Sequence, residues 1–332
     1  MGVLCLLAFR SSDLILFQRP EHFPAPVYNF EHNQLNQAEV ELGRYLFYDP
    51  LLSADGQISC ASCHSPYNAF AHTDHDLSHG INDEIGSRNA PALFNLAWQS
   101  SFMWDGAINH LDMQALAPIS HPKEMGEDIR NVVDKLNRER FYKELFYGIY
   151  KDSLATGERV LKALSQFQLT LVSADSKYDR VKLGMDTFSL QEENGYRLFL
   201  KNCNSCHAEP LFSNYQFKKN GLKADSVLKD YGRMMITQNS ADSLVFKTPS
   251  LRNLSYTYPY MHDGRFKNLY EVLNHYTSLS VKETKLSEEL KQKIVLTNHE
   301  KTDLVTFLLT LNDRNFVFNP LNKYPNKLRN KN

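Results

Sequence analysis

The chain has 332 residues, 42% of them hydrophobic and 12% aromatic, with 37 Lys and Arg set against 38 Asp and Glu. Such a composition belongs to a folded globular chain and excludes a disordered one, and a net charge of -1 gives no ground to expect nucleic acid or an anionic membrane as partner. The length suits two ordinary domains.

Residues 1–25 read as a leader remnant. Two apolar bursts, Val3–Phe9 and Leu14–Phe17, are split by Arg10-Ser11-Ser12-Asp13, and neither reaches the roughly 20 apolar residues that span a bilayer. The charged segment that opens a secretory signal is missing. A first helix is predicted over Gln37–Tyr48, stopped by Asp49-Pro50. One helical stripe runs through Asp128–Tyr150, with Ile129, Val132, Val133, Leu136, Leu145 and Ile149 on a common face, and another through Val160, Leu161, Leu164, Phe167 and Leu171. Ser189 and Glu192 form a capping box ahead of Tyr196, Phe199 and Leu200. Lys267–Tyr276 and Thr297–Leu311 are predicted helical as well, the latter opened by Thr297 and Glu300. Long irregular stretches, 65–95 and 208–260, lie between these helices.

Two short runs explain those loops. Cys60-Ala61-Ser62-Cys63-His64 and Cys203-Asn204-Ser205-Cys206-His207 both read C-x-x-C-H, the attachment signature of c-type haem. Two thiols add to the vinyl groups of one porphyrin, and the adjacent histidine brings an imidazole nitrogen to the iron. A zinc ribbon would place its cysteine pairs about 15–20 residues apart, far closer than Cys63 and Cys203. A thioredoxin-like dithiol would sit in a βαβ context, and strand alternation is scarce near either run. Only Cys5 remains of the five cysteines, so no disulfide framework is expected. A porphyrin supplies the apolar core around which irregular loops wrap. The expected fold is therefore mostly α, with two cytochrome c-like haem domains at 30–178 and 185–320. Covalent haem attachment in bacteria occurs outside the cytoplasmic membrane, so the protein is expected in the periplasm.

Further strings surround these runs: Arg88-Asn89-Ala90-Pro91, Met103-Trp104-Asp105-Gly106, Pro122-Lys123-Glu124-Met125-Gly126, Thr248-Pro249-Ser250-Leu251-Arg252-Asn253 and Tyr260-Met261-His262-Asp263-Gly264-Arg265-Phe266. In this order around two haem runs, they resemble the bacterial di-haem cytochrome c peroxidase family, which includes MauG, over roughly residues 37–311. The resemblance implies a peroxide-reacting iron held by His64 and a second, electron-transfer iron held by His207. It puts Glu124 in charge of protons, a role that suits a carboxylate above an open iron face, and Trp104 between the haems. It also implies a calcium ion at Asn89, Thr257 and Pro259, whose neutral oxygens suit a hard cation.

The sixth ligand of the second iron departs from the peroxidase branch. There a methionine follows fourteen residues after the histidine of the Tyr-Met-His-Asp-Gly string. Here the same step from His262 reaches Tyr276, the residue type that MauG carries. His275 and Met261 are the alternatives. The first haem is expected to be open, although His79, with His72 and His75 nearby, stands close to where some relatives place a blocking histidine.

The expected activity is reduction of hydrogen peroxide with electrons from a small cytochrome c or copper protein, a cytochrome-c peroxidase-type oxidoreductase. Two alternatives stay open: a MauG-like oxidase acting on a side chain of a partner protein, and a non-catalytic di-haem electron carrier. A homodimer is an expected assembly.

Overall fold

The computed structural model describes residues 17–280 and 286–329. Most of the leader segment, with Cys5, lies outside the described residues. Phe17 and Phe23 lie against the body, ring to ring with Trp98.

Helix α1, Gln37–Tyr48, forms as the sequence predicts. Asn36 caps it by accepting from the Glu39 N–H, and Leu42, Tyr45, Leu46 and Phe47 are buried along it. The single helix expected over 128–150 is two helices, α2 (Ile129–Arg138) and α3 (Arg140–Tyr150). Glu139 between them is extended, at φ -79° and ψ 119°, and its N–H caps the Leu136 carbonyl. The break lets Val132 and Leu136 of α2 and Tyr142 and Phe146 of α3 all enter one core. Tyr142 then donates to Asp49 Oδ2 at 2.7 Å, tying α3 to the end of α1. The stripe at 160–171 is α4, Gly157–Leu169.

Helix α5, Lys177–Lys182, leads into the second half. There α6 (Leu190–Asn202), α7 (Leu269–Ser278) and α8 (Asn298–Leu309) carry the predicted patterns, and both capping boxes form. Each half is built on one close helix crossing. A Cβ on Gly43 of α1 would overlap the Ala163 carbonyl of α4, and one on Gly195 of α6 would overlap the Asp303 carbonyl of α8. Glycine lets the backbones touch at both crossings.

Two apolar cores result. The first runs from Phe23 to Leu171, and the second gathers Tyr178, Phe199, Phe212, Leu273, Leu304 and Phe307 among others. Two edges of the expected domains differ. Tyr178 packs in the second core, while Phe316, Val317 and Leu328 return to the first. Arg44 secures that return by donating to the Lys323 carbonyl at 2.7 Å, and the Tyr48 hydroxyl donates to the Asn322 carbonyl.

Between the cores lies a buried ion pair. Arg252 and Asp179 meet through two bonds of 2.8 and 2.7 Å, both side chains 0% exposed. Asp179 also faces His22 Nε2 at 2.8 Å and accepts from Ser176. Arg252 donates to the Pro210 carbonyl and lies over Phe23 and Phe212. The long loops are mostly turns and short 3-10 segments. The one strand ladder among the described residues pairs Phe217–Lys218 with Phe246–Lys247, antiparallel.

Candidate active site

Both C-x-x-C-H runs form tight helical turns in which the histidine N–H donates to the carbonyl of the first cysteine, His64 to Cys60 and His207 to Cys203, each at 2.9 Å. The first turn is opened by a Ser59–Ser62 capping box. In each run the imidazole Nδ1 is held by backbone carbonyls: His64 by Phe70 at 2.8 Å, His207 by Phe212 at 3.2 Å and Pro249 at 3.1 Å. A proton kept on Nδ1 leaves the Nε2 lone pair for a metal. Burial lowers the pKa of each imidazole to about 4, so both are neutral. The four thiols are not bridged, and burial pushes those of Cys60 and Cys203 up to about 12.

One continuous cavity of about 740 Å³ joins the runs, with Cys63 and His64 at one end and Cys206 and His207 at the other. Paired thiols, an oriented neutral imidazole and an enclosed apolar space recur at both ends. The residues fit two covalently held haems.

Glu124, His121 and His79 line the first end. The turn carrying Glu124 is closed by the His121 carbonyl, which accepts from the Glu124 and Gly126 N–H groups, both at 3.0 Å. The Ile81 N–H donates to the Glu124 carbonyl at 2.8 Å. Gly80 packs so closely that a Cβ there would sit 2.5 Å from the Glu124 carbonyl oxygen. The Glu124 side chain keeps 34% exposure, with Oε1 3.8 Å from His121 Nδ1. Burial raises its carboxyl above the ordinary range, and His121 pulls it back in part. His72, His75 and His79 form a stack of rings, with His79 Nδ1 held by Asp83 at 2.6 Å.

Trp104 also lines the cavity. Its indole donates to the Asn89 carbonyl at 2.8 Å, and its own carbonyl accepts from the Lys247 N–H at 2.7 Å. The Asn89 amide donates to the Pro259 carbonyl at 2.7 Å, so those two members of the expected calcium set touch, and Thr257 lines the same cavity. Among the described residues no group of three His, Cys, Asp or Glu is arranged for a metal.

At the second end Tyr276 lines the cavity. Burial, followed by the Cys203 and Cys206 thiols, raises its phenol well above the ordinary value. His275 does not line it; its Nε2 lies 2.8 Å from the Asn220 carbonyl. Met261 does, with φ +75° and its sulfur 3.7 Å from the Asn220 amide.

Sequence reasoning missed three groups. His121 carries no motif signal of its own beyond its place just before Pro122. Lys247 is buried, donating to Gln99 Oε1 at 2.8 Å and the Ser101 carbonyl at 2.6 Å, and burial lowers its ammonium to about 7 against the pull of Asp105. Arg88 stands in a quoted string, but its partners Asp105 and Asp230, at 2.6 Å each, are distant in sequence.

The family model for di-haem cytochrome c peroxidase matches residues 37–187. MauG of Methylophilus methylotrophus is 35% identical over 89% of this chain and 87% of its own. Cytochrome c551 peroxidase of Nitrosomonas europaea is 38% identical over 69% of this chain and 70% of its own. The chain belongs to the di-haem cytochrome c peroxidase family. This family member is accordingly a peroxidase-type oxidoreductase that carries two haems. Its fold is shared with the crystal structure of a MauG-like protein associated with microbial copper homeostasis, at TM-score 0.83 and 28% identity over 93% of this chain and 99% of that one. No helix among the described residues is long and apolar enough to cross a membrane.

Proposed function

We propose that this di-haem peroxidase works in the periplasm, reducing hydrogen peroxide with electrons from a small cytochrome c or copper protein. The observation that carries the assignment of roles is the shared cavity, which Glu124, Trp104 and Tyr276 line together with both histidine ligands. Haem, when bound, supplies an iron that binds peroxide and accepts its oxidising equivalents. His64 would hold the first iron and His207 the second, each imidazole aimed by backbone carbonyls. Glu124 takes the proton from the near peroxide oxygen and returns it to the departing one, and its raised pKa suits a group that must do both. Trp104, anchored at its indole and at its carbonyl, is the aromatic bridge between the two ends. Tyr276, buried beside the Cys203 and Cys206 thiols, would offer its phenol oxygen as a ligand to the second iron. The half built on the first core serves as the peroxidatic unit and the half built on the second as the electron-transfer unit. Calcium belongs at Asn89, Thr257 and Pro259: with the Asn89 amide turned over, its Oδ1 would join the Pro259 carbonyl in facing a hard cation.

Glu124→Gln is expected to slow peroxide cleavage by about 10²–10⁴-fold, the usual loss for acid–base catalysis, with both haems retained. An unchanged rate removes Glu124 from the mechanism. The phenol of Tyr276 favours a second reading, a MauG-like oxidation of a side chain on a partner protein, because an oxygen ligand lowers a haem potential where a thioether raises it. Fast steady-state turnover with reduced cytochrome c supports the peroxidase reading, and its absence supports the second.

A further inference from the structure

Reduction of one hydrogen peroxide to two waters breaks the O–O bond and takes two electrons from the donor and two protons from outside. Glu124, in the role proposed above, moves a proton from one oxygen to the other but supplies neither of the net two. Both of those protons must reach the cavity from solvent at each turnover.

The surroundings of Glu124 offer one titratable neighbour suited to that task. Gly80 and the Ile81 N–H cover its backbone, and Met125 beside it is buried. Lys123 turns outward to Glu84 at 3.6 Å. The Cys63 sulfur is consumed in a thioether when haem is attached. His79 lines the same cavity, but its Nδ1 is engaged by Asp83. His121 alone of these groups faces the carboxylate, Nδ1 to Oε1, at 3.8 Å, and its side chain is 48% exposed. It thus lines the cavity and meets water at once.

We propose that His121 is the proton entry residue, passing protons from solvent to Glu124. In the structure Nδ1 accepts the Lys123 N–H at 3.2 Å, which places the proton of the neutral ring on Nε2. A proton from solvent adds to Nδ1, and the resulting imidazolium cannot accept from Lys123. Its Nδ1–H turns to the Glu124 carboxylate, less than 1 Å beyond ordinary hydrogen-bond reach. The proton passes to Oε1, an O–H bond forms where the Nδ1–H bond breaks, and the ring is left neutral with its proton on Nε2. Burial raises the Glu124 carboxyl above its ordinary range, which favours the protonated acid that the transfer forms.

The test uses the haem-loaded protein and rests on the Glu124 reading, which Glu124→Gln checks separately. His121→Gln preserves an acceptor for the Lys123 N–H and removes the proton carrier. Turnover should fall about tenfold or more at pH 7 and above, a smaller loss than for Glu124→Gln because water partly substitutes. Added imidazole should restore the rate of His121→Gln and leave Glu124→Gln unchanged. Independently of turnover, the His121 pKa followed by NMR in the resting protein should fall when Glu124 becomes Gln. A His121→Gln variant with wild-type rate and pH profile, absent imidazole rescue, or a His121 pKa indifferent to Glu124→Gln each overturns the inference. If Glu124→Gln itself turns over normally, the fault lies with the Glu124 assignment instead.

Discussion

Replacing Arg252 with Met tests how far the seam between the two cores depends on one ion pair. Deleting one partner of a buried pair costs about 3–5 kcal/mol, because the other charge is left without compensation. Asp179 retains His22 and Ser176, which argues for the lower end. The Pro210 carbonyl loses its donor, adding about 1 kcal/mol. A loss of about 4 kcal/mol is expected, read as a drop of about 1 M in the guanidinium midpoint of the haem-loaded protein. Asp179→Leu combined with Arg252→Met should recover part of that loss, since no orphan charge remains. Burial alone would raise the Asp179 carboxyl, but the bonds from Arg252 and His22 hold it well below its ordinary range. Its stabilisation is therefore complete above the unfolded pKa of about 3.9 and is lost as pH falls toward the folded value. Arg252→Met should flatten that acid limb. A single variant that loses less than about 1 kcal/mol, or a double variant as weak as the sum of its parts, refutes the reasoning.

Two further outcomes are expected. Gly80→Ala puts a methyl 2.6 Å from the Glu124 Cα, so peroxide turnover should fall by about tenfold or more through displacement of that turn, while an unfolding midpoint shift stays within about 1–3 kcal/mol; equal turnover in the variant would show that the turn accommodates the methyl. The Lys247 ammonium, lowered by burial to about 7, is deprotonated in the fold but protonated in the unfolded chain between there and its ordinary value of about 10.4. Stability of the wild type should rise with pH across that window, and Lys247→Met should remove the rise; identical pH–stability curves for the two would exclude a neutral Lys247.

What was legible in the sequence follows from where each signal resides. The two haem runs, Glu124, Trp104 and Tyr276 are marked by strings of neighbouring residues, and the structure gathers them in one cavity. The helix at Gln37–Tyr48 and both capping boxes are local as well. The division of 128–150 escaped notice because Glu139 breaks the helix without interrupting the apolar periodicity. Arg252 stood in a quoted string, yet nothing nearby in the chain announces that a fully buried carboxylate, Asp179, is its partner. Lys247 reads as a surface charge until the Gln99–Trp104 segment closes over it. His275 and Tyr276, adjacent in sequence, separate only when the cavity wall shows which of them faces inward.

The return of Phe316, Val317 and Leu328 to the first core makes the early half depend on the far end of the chain. The polypeptide must travel through the whole second half before the first can close. Shortening the chain ahead of Phe316 would therefore loosen a half whose own residues are all intact.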